Sequence, residues 1–177
     1  MLFALALFPA VSIAAEGGGR LAVTVMPFVA LDDNGEAWVG KALSDMAAQK
    51  LAVQGGYQVL ERDRLQAFLK EMELQEAGFT DAEQLQRLGG LAKVDRVIYG
   101  NYASNGSDIT INLLMMEVGN QKITSKAEVT GSVNDLSAVA GKAVDALLGQ
   151  KPSAGIAVPE FKVTDNTSAL EHFYKGL

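Results

Sequence analysis

Apolar positions change their spacing several times along this chain, and each change marks an element. Arg20 to Val29 (RLAVTVMPFV) is almost continuously apolar and β-rich at Val23, Thr24 and Val25, the pattern of a central strand buried on both faces. Leu31-Asp32-Asp33-Asn34-Gly35 reads as a loop. From Glu36 the period becomes helical: Val39, Leu43, Ala47 and Leu51 recur every four residues, with Met46 beside them, until Gly55-Gly56 stops the run. Tyr57 to Glu61 predicts a short strand. Leu65, Phe68, Leu69 and Met72 then share one face of an amphipathic helix. Thr80-Asp81-Ala82-Glu83 has the form of a capping box and opens a helix with Leu85 and Leu88 inward.

The second half alternates with period two. A strand containing Val97-Ile98-Tyr99 runs to Asn105-Gly106, a strong hairpin signal. Ile109, Ile111, Leu113 and Met115 alternate with Thr110 and Asn112, and Gly119-Asn120 marks a second turn. In the third strand Ile123, Ala127 and Val129 are expected to face inward, with Lys122, Thr124, Lys126 and Glu128 toward water. A last amphipathic helix carries Leu136, Val139, Ala140, Ala143, Val144 and Leu147 and stops at Gly149, before Pro152. The order is β-α-β-α-α-β-β-β-α. It predicts an α/β (α+β) fold: a mixed parallel and antiparallel sheet of about five strands with about four helices, on both faces or mainly on one. Residues 150–167 read as a linker with an extended piece at Ile156 to Val163, and Ser168 to Leu177 as a further helix. The sequence stops inside that helix, as a piece of a longer protein would.

The ends and the composition narrow the setting. Residues 1–15, MLFALALFPAVSIAA, are uncharged and apolar but shorter than the roughly 20 residues of a membrane-spanning helix. Small residues at Ser12 and Ala14 suit cleavage after Ala14, so the segment reads as a secretion signal; its missing positive flank is expected either if the true start lies upstream or if the segment has been shortened. The expected organisation is a signal at 1–15, one domain at 20–149, a linker, and a helix at 168–177. A formal net charge of −6 disfavours nucleic acid as a partner. No cysteine is present, which removes disulfides, thiolate metal sites, Cys nucleophiles and the acylated residue of a lipoprotein. The expected location is the periplasm, with no transmembrane segment after signal removal, no lipid anchor, and peripheral contact with the outer membrane left open.

The block from Val59 to Tyr102 resembles the CsgG family, which includes the curli-secretion channel. The resemblance rests on Val59-Leu60-Glu61-Arg62, Leu65, Glu71, Leu74, Gly78, Asp81, Leu88-Gly89 and Val97-Ile98-Tyr99-Gly100. The opening LAVTVMPF is similar to the start of both CsgG-like and TolB N-terminal domains, so the likeness covers Arg20 to Gly149. It implies an envelope domain that binds other proteins or copies of itself. The family's channel carries a lipidated N-terminal Cys and builds its barrel from long inserted hairpins. Here the cysteine is missing, the turns are tight and the strands read as short, so the chain alone is expected to form no pore. Ser168 to Leu177 looks like the first helix of a tetratricopeptide repeat, with Gly176 as its small residue; a plain amphipathic helix fits equally.

Candidate chemistry is sparse. The only histidine, His172, lies in the last helix, which leaves no Ser-His-Asp or Cys-His arrangement. Gly17-Gly18-Gly19 precedes a strand and lacks a following Gly-Lys-Ser/Thr, so it reads as a linker. Asp32 and Asp33 sit just past the first strand's carboxyl end, where open α/β sheets bind ligands, but without the spacing of a calcium loop. Trp38 follows, either as a contact anchor or as core. Glu61 is expected near a helix N-terminus, and Arg62 could fork onto a carboxylate and pin the next loop, with Glu71 a candidate partner. No catalytic residue, metal site or cofactor is assigned. The leading expectation is a non-enzymatic envelope interaction and assembly module, whose partners are envelope proteins or itself. The alternatives are a small-ligand or nucleotide sensor using the crevice after the first strand, and part of a secretion pore.

Overall fold

The computed structural model describes residues 19–32, 35–71, 81–150 and 167–176. The expected signal at 1–15, Asp33, Met72, Leu74, Gly78, Thr80 and the expected extended piece at 156–163 lie outside them.

Strand β1 (Leu21–Val25) occupies the middle of the sheet, parallel to β3 (Tyr57–Val59) on one side and β4 (Arg96–Asn105) on the other. The apolar run does not continue as one strand to Val29. Met26 N–H still donates to Ile98 O (2.8 Å), but Pro27 has no N–H to offer, and pairing with β4 resumes only at the two-residue β2 (Val29–Ala30). Antiparallel β5 (Asp108–Glu117) and β6 (Lys122–Ser132) complete the order β3-β1-β4-β5-β6, with β2 beside β4. The sheet is open and mixed, as the element order predicted.

Helices cover both faces. Helix α1 (Ala37–Gln54) buries Trp38, Leu43, Met46, Ala47 and Leu51 on the face formed by Val23, Val25 and Ile98, and ends where Gly55 and Gly56 take positive φ (73° and 77°). Helix α4 (Leu136–Leu147) lies beside it, over Ile109, Ile111 and Leu113 of β5. Between the two helices, Asp145 accepts from Gln54 Nε2 (2.5 Å) and pairs with Lys50 Nζ (3.1 Å). On the other face α2 (Arg62–Glu71) and α3 (Ala82–Ala92) pack Leu65, Leu69, Leu85 and Leu88 against Met26, Val97 and Met116. The cap of α3 is Asp81, whose Oδ1 accepts from Glu83 N–H (3.0 Å), rather than the Thr80 of the expected capping box. A carboxylate at a helix start is favoured by the dipole as well as by the hydrogen bond. Helix α5 (Thr167–Lys175) packs on α1.

The hairpin differs from expectation in two ways. Its strands are 10, 10 and 11 residues long, not short, because Arg96, Asn105, Asp108 and Ser132 join the ladder although they carry no apolar signal. A bulge between Met115 and Met116 then shifts the register, so that Ser125 opposes Met115 but Ile123 opposes Met116. Ile123 thus leaves the face of Ala127 and Val129 and is 45 % exposed.

Candidate functional site

The crevice beyond β1 is occupied by internal ties. Asp32 Oδ2 accepts from Ser104 N–H (2.9 Å) and, weakly, from Ser104 Oγ (3.4 Å), which fastens the loop to the end of β4; its Oδ1 is buried without a partner. Glu36 is the N-cap residue of α1. Its carboxylate pairs with Lys175 Nζ (2.6 Å) and receives Trp38 Nε1–H, contacts that hold its pKa below the ordinary value. The Tyr102 hydroxyl donates to the Glu36 carbonyl (2.6 Å), and burial, with the nearby Asp32 and Glu36 charges, pushes that phenol up to about 12. Trp38 is 8 % exposed and belongs to the α1 core, so its ring is not offered as a contact anchor.

A second knot ties α1, α2 and α5. Arg62 pairs with Asp45 of α1, not with Glu71, and its guanidinium lies 5.9 Å from the centre of the Tyr174 ring. The Tyr174 hydroxyl donates to the same Asp45 oxygen (3.0 Å). Burial raises the Asp45 carboxyl above its ordinary value, more than the Arg62 guanidinium and the Tyr174 hydroxyl lower it; burial and the Asp45 charge raise the Tyr174 phenol. Glu61 is exposed just ahead of α2, and its carbonyl accepts from Leu65 N–H (3.0 Å). Glu71 is exposed at the far end of that helix. Asp45 and Tyr174 carry no signal in the sequence, because nothing in their spacing shows that residues 129 positions apart meet. The cleft here, lined by Val25, Pro27, Ser44, Asp45, Arg62 and Leu65 among others, holds about 40 Å³, against the roughly 300–1,000 Å³ of small-molecule pockets. Among the described residues no group of three His, Cys, Asp or Glu could hold a metal ion.

The exposed surface lies at the other side of the sheet. On the α4 side β5 and β6 are covered, but their opposite face shows Thr110, Asn112 and Leu114 half-buried and Lys126, Glu128 and Thr130 exposed. The Thr110 and Thr130 hydroxyls are 2.9 Å apart across the ladder, and Asn112 Nδ2 donates to Asn101 Oδ1 (3.1 Å). A polar lattice thus prepares the surface without closing it. Strand β6 is also the sheet's edge, with no described strand on its outer side. Alternation in the sequence showed its polar face; its length and edge position were not visible there.

An open mixed sheet, helix-covered on both faces yet bare along one long hairpin, defines an α/β domain that presents a sheet surface and edge. Residues 23–108 of this domain match the family described as Curli production assembly/transport component CsgG, and the segment is CsgG-like. The LpoB C-terminal domain from Escherichia coli is similar in fold (TM-score 0.54, 13 % identity, 68 % of this chain and 89 % of that one). So is the LpoB C-terminal domain from Salmonella enterica (TM-score 0.53, 10 % identity, 64 % of this chain and 83 % of that one). The NMR structure of E. coli LpoB also aligns, over 63 % of this chain and 57 % of that one (TM-score 0.52, 15 % identity). No curated protein sequence matches. At these identities the structural likeness is one of fold. Among the described residues no helix is long and apolar enough to cross a membrane.

Proposed function

We propose that this chain is a non-enzymatic, periplasmic interaction and assembly module of the cell envelope, acting through the bare face and edge of the β4–β6 hairpin surface. The observation that carries the reading is the contrast between the two ends of the fold. At the crevice after β1, Asp32 and Glu36 are engaged with Ser104, Trp38 and Lys175. Along β5 and β6 a polar, half-exposed lattice and a free strand edge face outward. His172 is exposed on α5, away from any cluster of metal-ligating groups among the described residues. The CsgG-family match supports the envelope setting.

A photo-crosslinking amino acid at Lys126, compared with one at exposed Arg87 on α3, tests this in cells. Discrete protein adducts from position 126, with none from 87, are expected. Equal smears from both positions, together with a purified chain that stays monomeric and captures no envelope protein, would sink the reading.

A further inference from the structure

The charge pattern along β6 names a partner for its edge. The strand reads KITSKAEVTGS over eleven residues, and no described strand pairs with its outer side. Lys126 and Glu128 are both exposed, on the same face, and neither has an ion-pair partner among the described residues; within the sheet they oppose Leu114 and Asn112. An edge of this length is a template for another strand. A lysine in mid-edge normally discourages such pairing, unless the incoming strand brings a carboxylate opposite it.

We propose that two copies of this chain pair through β6 in antiparallel register about a two-fold axis at Ala127, extending the sheet across the dimer. In that register Lys126 of each copy lies opposite Glu128 of the other, giving two symmetry-related ion pairs. Ser125 then opposes Val129, the last pairing before the bulge at Thr124 interrupts the regular register. Registers centred on Lys126 or on Glu128 instead place like charges against each other. The same lysine that guards the edge against other strands therefore selects this one. Opposed residues in an antiparallel pair point to the same side, so the bare faces of the two copies become one continuous surface. The segment of the family match ends at Asp108, so this edge belongs to the part of the domain outside it.

This inference rests on the interaction-module reading and gives it a partner. Sedimentation equilibrium on the full chain, with a thermal melt of each variant to show that it is folded, tests it. Lys126→Glu alone and Glu128→Lys alone should each weaken self-association by about tenfold, because two pairs turn repulsive at once. The double variant Lys126→Glu/Glu128→Lys should return to within about twofold of the native chain. An equimolar mixture of the two single variants should associate as a heterodimer. The carboxylate introduced at position 126 of one chain then meets the amine introduced at position 128 of the other, while the native Lys126 and Glu128 meet across the axis. Damage to the fold could not produce that cross-rescue. A native chain that stays monomeric, or a dimer indifferent to either reversal, overturns the proposal. If position 126 crosslinks only to a different envelope protein, self-pairing falls while the interaction-module reading stands.

Discussion

Asp45 is a carboxylate held where burial outweighs its partners, and that balance has a sign. Its pKa is raised in the folded state, so between the ordinary value and the raised one the folded protein binds more protons than the unfolded chain. Stability attributable to this group therefore falls as pH rises through that window, and the penalty is complete above it. Asp45→Asn keeps an oxygen acceptor for Tyr174 and removes the charge. It is expected to flatten this slope and match or exceed the native chain in urea melts at about pH 7. Asp45→Ala removes the acceptor too and should cost about 1–3 kcal/mol. Equal losses in both variants would show that the Arg62 pairing outweighs burial. Gly40 makes a simpler case, since an added Cβ would run into the Phe28 carbonyl and sit 3.3 Å from the Tyr102 ring. Gly40→Ala must push α1 off the β2 segment, at a cost of roughly 1–3 kcal/mol in the same melts.

Among the described side chains of α5, Tyr174 is half-buried and hydrogen-bonded to Asp45 of α1, whereas Phe173 is 74 % exposed. Tyr174→Phe keeps the ring under Arg62 and removes only the bond to Asp45. Amide exchange of the α5 backbone should accelerate about fivefold, the equivalent of about 1 kcal/mol, while the midpoint of global unfolding stays within error. Lys175→Ala should do less, because its pairs with Glu36 and Glu171 are solvent-exposed. An unchanged exchange rate in Tyr174→Phe would mean that this hydrogen bond does not hold the helix. The helix itself was legible in the sequence, as were α1 to α4 and the three strands of the hairpin, because each carries its own apolar period. What joins them was not. The Asp45–Arg62–Tyr174 knot needs the docking of α5, which no local pattern encodes. The break at Pro27 was hidden inside an apolar run. The outward turn of Ile123 follows from a one-residue bulge in the ladder with β5, and alternation within β6 alone cannot reveal it.

At the scale of the whole molecule the two faces of the sheet are unequal, and that inequality orders how the protein comes apart. The α1/α4 side gathers the inward residues of β4 and β5 together with two long helices. On the α2/α3 side the buried set is smaller: among the described residues these helices pack on Met26, Val94, Val97 and Met116, and α3 also touches Val118 and Gln121 at the β5–β6 turn. The α2/α3 layer is therefore expected to open as a unit before the rest. Its amides should exchange with a lower free energy than those of β5. Two deletions separate this from all-or-none unfolding. Leu88→Ala removes contacts made only when α3 is docked, so it should lower the opening free energy of α2 and α3 by about 2–5 kcal/mol. Leu113→Ala weakens the larger core, which stays intact when α2 and α3 lift away. It should lower protection in β5 by a similar amount and leave the α2/α3 opening unchanged. If both deletions depress every amide equally, the layers unfold together and the sheet has no weaker side. If they separate, the polar face of β5 and β6 stays formed while the α2/α3 layer opens, and a partner bound there would protect β5 and β6 without protecting α3.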